Sequence, residues 1–158
     1  MRLINIINFI LIIIFVSCGG DEKSKMIKDS EHCCANCGMI TSKYPKWEQK
    51  VVSQDRGVMY FDGARCMFKI LLDAKDAPQK IDSILVKDYY SLDYINAKDA
   101  LYVTGSDVLG PMGNELIPFK TVKEAEEFKK DHKGKNIIRF AKVDMKMMKK
   151  LAGKMKMK

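Results

Sequence analysis

Gly57-Val58-Met59-Tyr60-Phe61-Asp62-Gly63-Ala64-Arg65-Cys66-Met67-Phe68-Lys69-Ile70-Leu71-Leu72 changes its period in mid-stretch. Gly57 to Phe61 follows the turn residues Asp55-Arg56-Gly57 and is rich in aromatic and branched side chains, which predicts a short strand. Asp62 then offers a side-chain acceptor to cap a helix, and Cys66, Phe68, Ile70, Leu71 and Leu72 keep one face of that helix apolar through Asp73. Upstream, Trp47 to Ser53 reads as a preceding strand. Downstream, Pro78 punctuates and Ile81 to Lys87 supplies a third strand. The order is β-β-α-β.

The second half repeats that order. Ala100 to Thr104 and Glu115 to Phe119 are strand-like, and Thr121-Val122-Lys123-Glu124 is a capping box that opens a helix from Val122 to Asp131. Within it Val122, Ala125 and Phe128 have helical spacing. His132-Lys133-Gly134 is the stop, and Ile137 to Phe140 closes as a strand. Between the halves, Tyr89 to Ile95 reads as core and strand edge, since no basic residue alternates with its rings as a base-stacking platform requires. Identity between the halves is slight, so the repeat is one of pattern. It predicts an α+β domain of two packed β-β-α-β units.

At the N-terminus, Met1-Arg2 precedes an apolar run from Leu3 to Val16, interrupted only by Asn5 and Asn8, and Ser17-Cys18-Gly19-Gly20 closes it. That run is too short and wrongly flanked for a spanning helix, and residues 1–17 read as a secretory signal. Its end resembles the lipobox of bacterial lipoproteins, with Phe15 where Leu is usual, which makes Cys18 the lipidation site. Residues 18–31 are polar, without periodicity, and read as a tether. Residues 32–143 then form the domain.

The last stretch, 144–158, holds five methionines among six lysines. It reads as a solvated basic tail, as a thioether arm that collects Cu(I), or as a weak membrane-surface anchor. The net charge is +8 over 158 residues, but an exported lipoprotein rarely meets nucleic acid. An acidic membrane surface or an acidic partner accounts for the charge instead.

The chemistry concentrates in His32-Cys33-Cys34-Ala35-Asn36-Cys37-Gly38-Met39. Thiolate and thioether are soft donors and suit Cu(I), whereas carboxylates and carbonyls suit magnesium, calcium and manganese. Cys34-x-x-Cys37 also fits a disulfide or redox pair, or half of a zinc site. Met39 favours copper, because a zinc site gains nothing from a thioether and a thioredoxin-type pair opens a helix in a βαβ unit. On the residues alone all three readings stand. Cys66 and Met67, at the start of the first helix, read as core. No Ser-His-Asp set, phosphate loop or carboxylate pair supports a hydrolytic reading.

Cys37-Gly38-Met39 with Tyr44-Pro45-Lys46-Trp47, then Phe61-Asp62-Gly63-Ala64-Arg65-Cys66-Met67-Phe68, then Tyr102-Val103-Thr104-Gly105-Ser106, and above all Gly110-Pro111-Met112-Gly113-Asn114-Glu115-Leu116-Ile117-Pro118-Phe119, resemble the NosL family. These are lipoprotein accessory proteins of nitrous oxide reductase, and the resemblance runs from about Cys34 to Phe140. It implies a periplasm-facing membrane lipoprotein without catalytic activity that binds Cu(I) and passes it toward nitrous oxide reductase, its maturation machinery or a related exported cuproprotein. It also implies a fold of two β-β-α-β units, similar to part of organomercurial lyase. The family's Cys-x-Met falls on Cys37 and Met39, and its glycine-flanked methionine on Met112, for which ordinary core filling is the competing reading. Cys33 and Cys34 add thiols beyond that pattern, so Cys34 joins Cys37, Met39 and Met112 as an expected metal ligand. The alternative is a thiol-disulfide protein acting through Cys34 and Cys37, and after it a lyase-like enzyme using the same thiols.

Overall fold

The computed structural model describes residues 32–153. The signal segment 1–17, the tether 18–31 with Cys18, and residues 154–158 lie outside the described residues. Two antiparallel sheets carry the fold. The first contains β1 (Gln49–Ser53), β2 (Gly57–Phe61), β3 (Ile81–Lys87) and β4 (Tyr94–Asn96) in the order β2-β1-β3-β4. The second contains β5 (Leu101–Gly110), β6 (Gly113–Phe119) and β7 (Asn136–Arg139) in the order β6-β5-β7. In each half the first strand sits between the second and the third, with a helix after the second strand. These helices are α1 (Ala64–Leu71) and α2 (Val122–Asp131), and a third, α3 (Met145–Ala152), follows β7. The domain is therefore α+β, and the two β-β-α-β units share one topology. β4 is an addition at the edge of the first.

Alternation along the central strand of the second sheet divides the core. Tyr102 and Leu116 face a large cluster that takes in Val51, Phe61, Met67, Phe68 and Val86 beneath α1. Leu101, Val103, Ile117 and Phe119 face a smaller cluster closed by Ala125 and Phe128 of α2. Successive strand residues point to opposite faces, so burying both faces makes Leu101 to Thr104 a run of four buried residues. Pro118 is admissible because β6 is an edge strand, where no second neighbour needs its amide. Thr121 and Glu124 form the capping box at the start of α2. β5 outruns its expected end at Thr104, because after an irregularity between Thr104 and Leu109 it pairs again up to Gly110. Gly110-Pro111-Met112-Gly113 is thereby the β5–β6 hairpin, with Pro111 and Met112 at its tip.

Two expectations are corrected. Asp62 does not cap α1: the N-cap is Gly63, and no side chain of the cap residue accepts a hydrogen bond. The acceptor comes from the other unit, where Glu115 Oε1 on β6 takes the backbone N–H of Arg65 at 2.6 Å. The first amides of a helix need such an acceptor, and it fits here because Gly63 has no side chain: a Cβ there would lie 2.2 Å from Glu115 Oε2. Nor do residues 144–153 run as a solvated tail. Asp144 caps α3 by accepting from Met147 N at 2.7 Å, and Met148 and Leu151, three apart, are buried against the main core while the lysines stay exposed. Charge density concealed that spacing.

Burial raises the Glu115 carboxyl from an ordinary 4.5 to about 7, opposed by the amides of Leu116 and Arg65 and by the Arg65 charge. The folded state then holds a proton that the unfolded chain has released between those values, so stability falls as pH rises through that window. At about 1.4 kcal/mol per pH unit the loss is on the order of 3 kcal/mol, and Glu115→Gln removes this part of the slope in urea titrations run from pH 4.5 to 7. Gly63→Ala is expected to cost about 1–3 kcal/mol by overpacking the cap, read as a lower urea midpoint at unchanged m-value.

Candidate metal centre

Residues 32–41 are stitched to the edge of the first sheet as a tight turn. Ala35 N donates to Tyr60 O at 2.9 Å, Cys34 N to Met39 O at 2.7 Å, and Gly38 N to Cys34 O at 2.8 Å. Gly38 takes φ +77, a left-handed conformation that a side chain resists. The His32 ring lies flat on Tyr60, with centroids 3.6 Å apart and planes within 1°. Glu48 accepts from Thr41 Oγ1 at 2.7 Å and Tyr94 OH at 2.8 Å, and lies 3.4 Å from His32 Nδ1. His32 is thus a structural clamp, and Cys33 is exposed outside the group described next.

The turn delivers two thiols to the N-terminus of α1. Cys34 Sγ lies 3.1 Å from Asp62 Oδ1, and Cys37 Sγ lies 3.4 Å from Asp62 Oδ2. Cys66, in the first turn of α1, completes the set, with its sulfur accepting from Asn36 Nδ2 at 3.2 Å. The donor atoms of Cys34, Cys37, Asp62 and Cys66 all lie within 4.8 Å of one another. Cys34, Asp62 and Cys66 are buried and Cys37 is exposed, so the group is a pocket with one accessible wall. Three thiols and a carboxylate at such separations can close on one ion.

The protonation states are uneven. A hydrogen bond from the Cys66 thiol holds the Cys34 pKa down to about 6 against the cost of burial, with help from backbone groups of Asp62 and Cys37. The proton shared in this way pushes the Cys66 thiol up, and burial adds to it. Cys37 is pushed up to about 11, first by desolvation and then by the neighbouring Cys34 and Asp62. One thiolate therefore stands ready, beside two thiols that would lose their protons to a bound cation.

Of the donors expected from sequence, the structure brings Cys34 and Cys37 together. Met39 is half-buried in the turn and packs against the main core, and Met112 does the same from the hairpin tip. Met112 lines a cavity whose wall includes Cys66 and Asn36, and its carbonyl accepts from Arg65 Nη2. Asp62 and Cys66 were missed as site residues, the one read as a cap and the other as core. Spacing alone does not signal that they meet, because Asp62 precedes the N-cap Gly63 and the i, i+4 rule holds only inside a helix.

An α+β domain that gathers three thiols and a carboxylate into one half-buried pocket carries the donor set of a soft-metal-binding class of protein. The NosL family model matches residues 25–148. The crystal structure of the copper chaperone NosL from Shewanella denitrificans is similar to this chain with a TM-score of 0.67 and 30% identity, covering 75% of this chain and 93% of that one. No curated protein sequence matches. The chain belongs to the NosL family.

Because Cys34 is the one thiol held low, ultraviolet thiolate absorbance of the metal-free reduced protein should gain one step centred near pH 6. Cys34→Ser abolishes that step. Cys66→Ala moves it upward, toward the ordinary cysteine value of about 8.5, by removing the principal stabilising donor.

Proposed function

We propose that this protein is a Cu(I) carrier of the cell envelope, anchored by lipid at Cys18, that hands copper to nitrous oxide reductase or a related exported cuproprotein. The observation that carries the reading is the Cys34-Cys37-Cys66-Asp62 pocket in a chain whose structural relative is titled a copper chaperone. Thiolates are the donors that favour Cu(I) among the first-row ions. Cys34, Cys37 and Cys66 hold the ion, Asp62 accepts from the Cys37 thiol before it arrives, and Met39 and Met112 are the neutral thioether donors that the family pattern adds. A thioether adds softness without charge, which leaves the ion removable. No step of bond making in a substrate is required, so the protein acts as a carrier and not as an enzyme.

The thiol-disulfide alternative meets a physical objection. Its nucleophile must be both ionised and reachable, whereas Cys34, the thiol held low, is 3% exposed and the exposed Cys37 is the one pushed up. Among the described residues no helix is long and apolar enough to cross a membrane. Membrane attachment in this reading comes from acylation of Cys18, within residues outside the described part.

Anaerobic competition titration against a Cu(I) chelator tests the carrier. One equivalent is expected in the pocket, and Cys34→Ser, Cys37→Ser or Cys66→Ser should each weaken it by well over the roughly 10–100-fold that follows loss of a group that merely orients a ligand. Cys33→Ser should leave it unchanged. Affinity should also rise with pH between 6.5 and 8.5, because binding displaces the protons of Cys37 and Cys66. Wild-type affinity in all three pocket variants, or uptake of zinc with no copper, overturns the reading. Cys18→Ala should release the protein from the membrane fraction or stall its precursor, and unchanged partition into detergent phase removes the anchor from the proposal.

A further inference from the structure

The two faces of the first sheet have different surroundings. Val51, Phe61 and Val86 point to the side covered by α1 and are fully buried. Alternation puts Val52 of β1, Val58 of β2 and Leu85 of β3 on the opposite side. Val52 pairs with Val58 across the ladder, and Leu85 pairs with Lys50, two residues along β1 from Val52. Neither core cluster takes in any of the three. None is buried, and Val58 is 49% exposed. An apolar patch left without a partner marks an interaction surface.

Rings and charges on that face identify what covers it. Tyr60 and Tyr94 share it with Lys50 and Lys87, their partners in the ladder. The Lys50 ammonium lies 5.3 Å from the Tyr60 ring centroid and 4.3 Å from that of Tyr94, and the Lys87 ammonium 5.0 Å from Tyr94. Asp82, the one acidic residue within β1 to β4, alternates to the other side and accepts from Gln54. Tyrosine rings favour the boundary between a membrane and water, and lysines are drawn to an anionic bilayer. The path of the chain agrees. The His32 ring lies on Tyr60, so the described residues begin beside this face, and Cys18 is fourteen residues earlier, within about 50 Å even at full extension.

We propose that the outer face of the first sheet, with Val52, Val58 and Leu85 between the two lysines and their tyrosines, lies against an anionic phospholipid surface. α1 packs on the far side of the sheet, so this orientation turns the thiol pocket away from the lipid and toward the aqueous side. The inference rests on the acylation of Cys18 to bring the domain to the bilayer, and adds which way the domain then faces.

The test is methyl NMR of the full-length acylated chain, labelled at valine and leucine, in nanodiscs of phosphatidylglycerol and phosphatidylethanolamine with a gadolinium chelate on a fraction of the headgroups. Relaxation enhancement should be several-fold greater at Val52, Val58 and Leu85 than at Leu71 and Leu72, at the end of α1. That difference should disappear in phosphatidylcholine nanodiscs, and in Lys50→Glu/Lys87→Glu on the anionic discs, with the chain still held by its anchor. The phosphatidylcholine arm uses the unaltered chain, so a variant that folds poorly does not decide the result. Even enhancement at both groups of methyls on anionic discs that retain the chain overturns the orientation and leaves the carrier reading standing. A difference undiminished in phosphatidylcholine overturns the selection of an anionic surface. A chain that enters neither kind of disc removes the anchor and the orientation together.

Discussion

Glu115 reaches across from β6 to accept the Arg65 amide at the start of α1, and the arrangement of the metal centre depends on that contact. A helix start left without an acceptor in a buried setting costs free energy comparable to a lost hydrogen bond, and here the partner comes from fifty residues away. The consequence is twofold. The second unit is locked in register against the first, and Asp62, relieved of capping, turns its carboxylate to Cys34 and Cys37. The absence of a side chain at Gly63 is what admits Glu115 so close. The same carboxylate packs within 3.3 Å of where a Cβ at Gly110 would lie, so one acidic side chain fixes both the helix and the hairpin that carries Met112.

That lock explains how a short turn can serve as half of a metal pocket. The segment from His32 to Thr41 has little core of its own, yet it is pinned to Tyr60 and Glu48 by backbone and ring contacts. Its sulfurs therefore meet a fixed surface, the first turn of α1. Rigid placement keeps the thiols close without metal, and burial together with the hydrogen bonds among them keeps two of the three protonated. In the proposed carrier the ion would be exchanged for protons, so that uptake and release respond to the same groups that bind.

The pocket is closed on the protein side by burial of Cys34, Asp62 and Cys66 and reachable at Cys37. A carrier needs such an arrangement, since a fully enclosed site releases slowly and a fully exposed one admits competing ligands. Cys66 also borders a cavity beside α3 that Asn36, Arg65 and Met112 line with it.

The sequence by itself determined the elements, because strand alternation, helical spacing and the Thr121–Glu124 box are local signals. It also determined the thiol-rich turn and, through its motifs, the family. β4 at the edge of the first sheet, the continuation of β5 past Thr104 and the folding of α3 were decided by tertiary contacts, as was the full donor set. Asp62 looks like a cap until Glu115 takes that role, and Cys66 looks like core because it is buried. Met148 and Leu151 look like part of a charged tail until the groove beside α1 and β6 supplies something to bury them against. Local pattern specifies which face of an element is apolar or reactive. Which faces meet depends on contacts between residues far apart in the chain, and those exist only once the two units have packed.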